Sequence, residues 1–252
     1  MGGAIARGIA AGTLVPATEI AACSTNQDGE LDALHADCPE ITVSTDNTIA
    51  AKADMIIIAV KPWILDKVLA QITPSVDFSR QIIVSIVAGA TIGHIASFAK
   101  PGTKPVIFRL IPNIAITVHE SMTFITPSEN ATASHTQAVC GIFGELGSVM
   151  VIEERLMAAA TALASCGIAY VMRYVRAASE GGVELGFKAD QAKEVMLQTL
   201  IGAVRLMQAT GNNPEADIDK VTTPGGLTIK GLNTMERYGF TTAVIEGLKA
   251  SV

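Results

Sequence analysis

Two stretches decide the fold: MIIIAV at residues 55–60 and IIVSIV at residues 82–87. Both are dominated by isoleucine and valine, and neither alternates polar with apolar. That is the pattern of parallel strands covered on both faces. Further short apolar runs lie outward from them at Glu19–Cys23, Ile41–Val43, Pro105–Leu110, Met122–Thr126 and Ser148–Ile152. Helix-like segments such as Trp63–Ile72 and Thr91–Ala99 fall between them. Strand, helix, strand at this spacing predicts an α/β domain with a doubly wound sheet over residues 1–152. From residue 153 the texture changes. Segments 153–178, 189–210, 215–222 and 228–250 are helix-prone and no further strand is predicted, so residues 153–252 read as an all-α domain.

The chain has 252 residues, of which 49% are hydrophobic and 17% charged, which excludes disorder and implies extensive burial, part of it between subunits. The run Leu156–Met172 carries no charge and Arg173 and Arg176 follow at once. It is at the short limit for a membrane span and reads instead as a buried helix. A helix apolar on nearly every face needs more protein around it than this chain supplies, so a homodimer or higher homo-oligomer is expected. The net charge of −6 gives no electrostatic footprint for nucleic acid or an anionic membrane. A phosphate on any ligand must therefore be held by local donors. Cys23, Cys38, Cys140 and Cys166 are scattered, without C-x-x-C or pairing with histidine, so no metal site is expected. Free thiols and the lack of a signal-peptide pattern point to the cytoplasm. His35, His94, His119 and His135 each stand alone in the sequence and read as surface or satisfied residues.

The first residues, MGGAIARGIAAG, look like a helix that should follow a glycine turn, itself preceded by a strand. In a dinucleotide-binding domain the first strand ends in G-x-G-x-x-G/A, where glycines let the backbone approach a pyrophosphate at the next helix N-terminus. Met1-Gly2-Gly3-Ala4 fits the last part of that fingerprint; small residues packing a helix on a sheet explain it equally well. After the next strand, Cys23-Ser24-Thr25-Asn26 places hydroxyls and an amide where an NAD site usually has a carboxylate, the first of which is Asp28. That set tolerates a 2′-phosphate and favours NADP over NAD. An ordinary capping turn is the alternative.

Three later stretches share one logic, a strand ending in a tight polar turn: AVKP (59–62), SIVAG (85–89) and FRLIPN (108–113). Lys61-Pro62 puts a cation and a rigid turn at the carboxyl edge of the sheet, where ligands bind in open α/β folds. Ser85–Gly89 offers small residues against which a flat ring could lie. Pro112-Asn113 fixes a turn with a side-chain amide. In VTTPGGLTIKGLNTMERYGF (221–240), Pro224-Gly225-Gly226 turns into a helix with Thr228 in its first turn. Glycine amides at a helix N-terminus make a carboxylate site. A plain helix–helix turn would also satisfy the pattern.

Taken together, AVKP, SIVAG, RLIPN, ASCGIAYV and D-x-V-T-T-P-G-G-x-T (Asp219–Thr228) resemble the pyrroline-5-carboxylate reductases over essentially the whole chain. Family members usually open with a strand and a G-x-G-N-M-G-x-A loop, and Met1-Gly2-Gly3-Ala4 matches its end. The resemblance implies a Rossmann-like NADP-binding domain, its first strand missing, and a helical dimerisation domain. It implies reduction of a cyclic imine carboxylate to proline in proline biosynthesis, with NADPH as cofactor and NADH as the alternative. By that resemblance, Thr223, Gly225, Gly226 and Thr228 hold the substrate carboxylate, and Thr228 also bonds the imine nitrogen. Met1, Gly2, Ser24, Thr25, Asn47, Ala59, Lys61, Pro62 and Asn113 line the cofactor, with Ala88 and Gly89 beside the nicotinamide.

Several positions depart from the family pattern. Asn113-Ile114-Ala115 stands where N-T-P is common, which predicts a less rigid turn. Ile168 replaces a proline and Leu227 a threonine. The missing strand predicts unpaired edges on its neighbours and fewer amides for the pyrophosphate. Either the start corresponds to a methionine inside the motif or cofactor binding is weakened. Two other functions therefore stay open: a cofactor-deficient relative serving as an oligomeric structural or regulatory protein, and a reductase of a different imine. A β-hydroxyacid substrate is disfavoured, because no lysine stands near Ser165–Tyr170 on the long helix.

Overall fold

A computed structural model of the chain describes residues 1–25 and 29–252. Asn26 and Asp28 of the ribose turn lie outside the described residues. All seven apolar runs form strands: β1 (Ala21–Cys23), β2 (Thr42–Ser44), β3 (Met55–Ile58), β4 (Ile82–Ser85), β5 (Val106–Ile111), β6 (Ser121–Pro127) and β7 (Gly147–Val151). Around them lie α1 (Gly2–Ala11), α2 (Glu30–Asp37), α3 (Asn47–Ala50), α4 (Leu65–Ile72), α5 (Ile92–Ala96) and α6 (Ala133–Gly144).

The sheet is in two pieces. β1 pairs parallel with β2, and separately β3-β4-β5-β6-β7 form a five-stranded sheet. Pairing there is parallel except between β5 and β6. Among the described residues, β1 pairs with β2 alone and β3 with β4 alone, so both are edge strands.

The unbroken apolar runs follow from burial on both faces. Ile56, Ile58, Ile83 and Ile107 point into one core layer with Leu65, Leu69 and Ile95. Val84, Phe108, Leu110 and Ile125 point into the opposite layer with Ile5, Ile9, Val139 and Phe143. Helix α1 serves both sheet pieces: Ile5 and Ile9 enter the large layer, whereas Ala6 joins Leu34 and Ile41 under the small sheet. Its carboxyl end is tied down by Glu145, whose carboxylate accepts from the backbone N–H and the hydroxyl of Thr13, each at 2.7 Å.

The chain divides into compact units at Met1–Ser165 and Cys166–Val252, a little beyond the 152/153 change in texture. Residues just after β7 stay with the first unit because α7 (Met157–Ala160) packs Met157 and Ala160 on Phe124. A π-helical turn, Thr161–Cys166, follows. The second unit contains α8 (Gly167–Glu184), α9 (Ala189–Thr210), α10 (Pro214–Val221), α11 (Leu227–Arg237) and α12 (Phe240–Lys249). The helix-prone segment 228–250 forms two helices, α11 and α12, separated at Gly239, which has φ +79°.

The helix from Leu156, expected to be buried with the help of a second copy, is not covered by its own chain. No residue of α8 is buried in the single chain, and Tyr170, Val171 and Met172 are exposed. Glu154–Glu184 is long and apolar enough to cross a membrane by length and composition, with 17% of its most apolar window buried. The chain cannot wrap this helix because the remaining helices are themselves apolar on exposed faces, as at Val195, Ile201 and Val204.

Replacing Ile5 by alanine is expected to lower stability by about 2–5 kcal/mol, the usual cost of emptying a buried isoleucine site. Urea unfolding checks this; an unchanged midpoint would mean that α1 does not anchor the large core layer.

Candidate active site

In the first unit, the predicted cofactor residues sit at the carboxyl ends of parallel strands, with the N-terminus of α1. Met1 is the N-cap of α1, and the first intrahelical bond runs from Ile5 N–H to Met1 O at 3.0 Å. The N–H groups ahead of that bond have no partner within the helix and present partial positive charge. Gly2 stands so close to the end of β3 that a Cβ placed on it would lie 3.1 Å from Ala59 Cβ. The helix start and AVKP are therefore brought together, as the fingerprint reading expects. Ser24 follows β1, where its N–H donates to Ser44 O, and Thr25 is exposed beside it.

Lys61 caps the short 3₁₀ helix Pro62–Ile64 and is exposed together with Pro62. The next residue, Trp63, is 79% exposed, a flat apolar side chain at the same edge that the sequence reading passed over. Ala88 and Gly89 are exposed at the tip of the turn after β4, where Gly89 has φ +79°. These small exposed groups, with the glycine-tight helix start and the Lys61 cation, fit a dinucleotide.

Two amides are already engaged. Asn47 begins α3 and is buried, its Nδ2 donating to Gln71 Oε1 at 3.0 Å, so it braces α3 against α4. Asn113 is buried after β5, where its Oδ1 accepts from Ala115 N–H at 3.0 Å and its own N–H donates to Ser121 Oγ at 3.1 Å. The turn expected to be looser without N-T-P is thus fixed by hydrogen bonds at both ends. Its side-chain contact with a ligand would fall to Nδ2.

Of the histidines, His94 does have an acidic partner, since Nε2 lies 2.7 Å from Asp66 Oδ1. That pairing was invisible in sequence because 28 residues separate them. Both side chains are exposed, and His135 is satisfied within the α6 capping box. No cluster of three or more metal-ligating side chains occurs among the described residues.

In the second unit, the predicted substrate residues form one turn between α10 and α11. Gly225 has φ +73°, and Gly226 N–H donates to Thr223 O at 2.9 Å. A Cβ on Gly226 would meet Thr223 Oγ1 and crowd Thr223 O, so a larger residue there would force the Thr223 side chain to turn away. Gly226 caps α11, whose first turn carries Thr228 with its hydroxyl in an exposed residue. Leu227 beside it is also exposed.

The approach to this turn is braced by Asp217 on α10, which is buried. It accepts from Lys220 Nζ at 2.6 Å, Thr210 Oγ1 at 2.7 Å and Asn212 Nδ2 at 3.2 Å. The Lys220 bond first, then those of Thr210 and Asn212, pull its carboxyl down to about 2.

A doubly wound sheet with ligand-ready turns at its carboxyl edge, joined to a helical second part, defines a Rossmann-type NADP-dependent oxidoreductase. A family model described as NADP oxidoreductase, coenzyme F420-dependent, matches residues 1–89. One described as pyrroline-5-carboxylate reductase dimerisation matches residues 154–252. The chain belongs to the pyrroline-5-carboxylate reductase family. It is 38% identical to pyrroline-5-carboxylate reductase 2 of Dictyostelium discoideum over 222 residues, 83% of this chain and 74% of that one. It is 33% identical to the Escherichia coli enzyme over 249 residues, 98% and 91% of the two chains. The chain spans 47% of the length of Dictyostelium pyrroline-5-carboxylate reductase 1, with 36% identity. Among solved structures, Plasmodium falciparum pyrroline carboxylate reductase with NADP bound has a TM-score of 0.88 at 27% identity, covering 100% of this chain and 91% of its own.

Acid titration tests the Asp217 brace. Because its folded pKa lies below the ordinary 3.8, its stabilisation is present above about pH 4 and is lost as pH falls through about 2. Asp217→Asn is expected to be less stable than the wild type at pH 7 and to lose less stability across that window. Denaturant midpoints measured from pH 6 to 2 would show it; parallel curves would mean that the bonds to Asp217 do not form.

Proposed function

We propose that this chain reduces 1-pyrroline-5-carboxylate to L-proline with NADPH, NADH being the alternative donor. The observation that carries the reading is the Thr223–Thr228 turn, in which Gly225 takes φ +73°, Gly226 packs closely on Thr223, and the backbone leads into the first turn of α11. Such a turn suits a carboxylate, and the family places a cyclic imine carboxylate in this chemistry. Gly225 would offer its N–H to the carboxylate and Thr223 and Thr228 their hydroxyls, while Gly226, whose own N–H goes to Thr223 O, would shape the turn around it. Thr228 would also orient the imine nitrogen. A threonine is too weak an acid to protonate a free imine without help, so orientation comes first in its role.

The cofactor would rest on the N-terminus of α1 at Met1 and Gly2. Ser24, Thr25 and Lys61 would meet its phosphates and ribose, and Asn47, Ala59, Pro62 and Asn113 would line its path. Ala88 and Gly89 would flank the nicotinamide, which supplies the hydride when bound. Little acid–base machinery is needed: the residues of this chain mainly hold the imine carbon near the hydride donor.

We also read residues 1–152 as the cofactor part and 153–252 as the helical part through which copies associate as a homodimer or larger ring. The exposed apolar faces of α8 and α9, with a groove lined by Met172, Val175 and Val183, support association. They suit a second copy better than lipid, given the second unit's charged residues Arg173, Arg176, Glu180 and Glu184 on the same helix. A cytoplasmic enzyme of proline synthesis is the corresponding setting.

Saturable NADPH fluorescence titration at micromolar protein, followed by turnover of pyrroline-5-carboxylate, is the expected behaviour. Failure to bind NADPH would leave the cofactor-deficient oligomer as the better reading. Thr228→Ala is expected to lower kcat/KM by about 1–3 kcal/mol in transition-state energy, the range for one well-placed hydrogen bond. An unchanged kcat/KM would remove Thr228 from the site. Sedimentation is expected to give a dimer or larger species, and monomers alone would remove the association reading.

A further inference from the structure

A polar row interrupts the apolar face of the large sheet just below the turn assigned to the nicotinamide. Along β4, Ile83 is followed on the same face by Ser85; along β5, Ile107 is followed by Arg109. Ser85 and Arg109 stand opposite each other across the β4–β5 ladder, and Arg109 stands opposite Thr126 across β5–β6. Thr126 Oγ1 donates to Ile152 O at 2.8 Å, fixing the chain that leaves β7. Two residues later Glu154 points back. Its Oε1 accepts from Arg109 Nη1 at 3.2 Å and from the backbone N–H of Ile92 at 3.0 Å.

The turn between β4 and α5 is therefore held at both ends. Ser85 Oγ accepts from Val87 N–H at 3.3 Å on one side, and Glu154 takes Ile92 N–H on the other. Between these anchors lie Ala88 and Gly89. The arrangement is costly. The Arg109 side chain is only 12% exposed, and its Nε is buried without a hydrogen-bond partner among the described residues. An apolar residue at 109 would suit the sheet better for stability alone. A charge kept there under such terms is explained by what it holds, and the group it holds is Glu154.

We propose that Glu154, oriented by Arg109, is a positioning residue that sets the 86–92 turn in the shape needed to seat the nicotinamide; this rests on the cofactor reading above. Neither residue touches the reacting atoms. Glu154 acts through the Ile92 amide, and Arg109 acts through Glu154. The pairing joins residues 45 positions apart, and only Arg109 left a trace in the sequence, as the single charge in VIFRLI.

Glu154→Ala removes the acceptor, whereas Glu154→Gln keeps an oxygen for Ile92 N–H without the charge. In ligand-free protein, Glu154→Ala should speed amide hydrogen exchange across residues 86–92 by about tenfold, as expected for losing one local hydrogen bond, and leave β5–β7 protected. In turnover it should lower kcat by about tenfold and raise the isotope effect with deuterated NADPH, with KM for the imine changed less than about twofold. Glu154→Gln should recover most of both. Unchanged exchange in 86–92 together with unchanged kcat would overturn the proposal. So would equal exchange across the whole first unit, which marks a merely structural role. If Glu154→Ala does not fold, Glu154→Gln decides, since loss of protection in 86–92 with the acceptor retained would also overturn it. Should the wild type bind NADPH yet fail to reduce the imine, the substrate reading falls and the exchange result still decides the positioning role.

Discussion

The fold depends on one helix that has to satisfy two sheets. α1 puts Ile5 and Ile9 into the core under β3–β7 and Ala6 into the core under β1–β2. Among the described residues no backbone ladder connects the two pieces, so packing on α1, with α3 braced against α4 by Asn47, does the joining. This explains the composition of the helix. Ile5 and Ile9, with Ala4 beside them, face the deep layer, Ala6 and Ala10 face the shallow one, and Gly2 lets the first turn approach Ala59. Hydrophobic burial is nondirectional, so it holds the pieces together without fixing them to a hydrogen-bond register.

The candidate site uses the same economy. Its parts come from strand ends and helix starts, where backbone groups are available because regular pairing has just stopped. Rigid turns then aim those groups: Gly226 against Thr223, Asn113 against Ala115, and the 86–92 turn between Ser85 and Glu154. The side chains that do the fixing are mostly buried, and those proposed to meet ligand are mostly exposed. Stability and chemistry are thus assigned to neighbouring but different residues.

Much of this was legible in the sequence because it is local. Continuous apolar runs gave all seven strands, and glycine and proline marked the turns at residues 61–62, 89 and 225–226. The resemblance then assigned the first two to a cofactor and the third to a substrate. What could not be read depends on pairs far apart in sequence. Glu154 with Arg109, His94 with Asp66 and Glu145 with Thr13 have no periodicity that links them. What covers α8 could not be read from its own pattern either, since periodicity reports how apolar a helix is and not what packs on it. Trp63 was passed over because an aromatic beside a turn gives no hint of its exposure.

The Asn113 turn limits how its own bend can be stiffened. Its hold on the chain uses the N–H of Ala115, and a proline at that position has none to give. A ring there would fix the backbone angle of the same bend, so the two devices exclude each other at one atom. A substitution that brings the ring removes the hydrogen bond in the same step, and the two can never be added together.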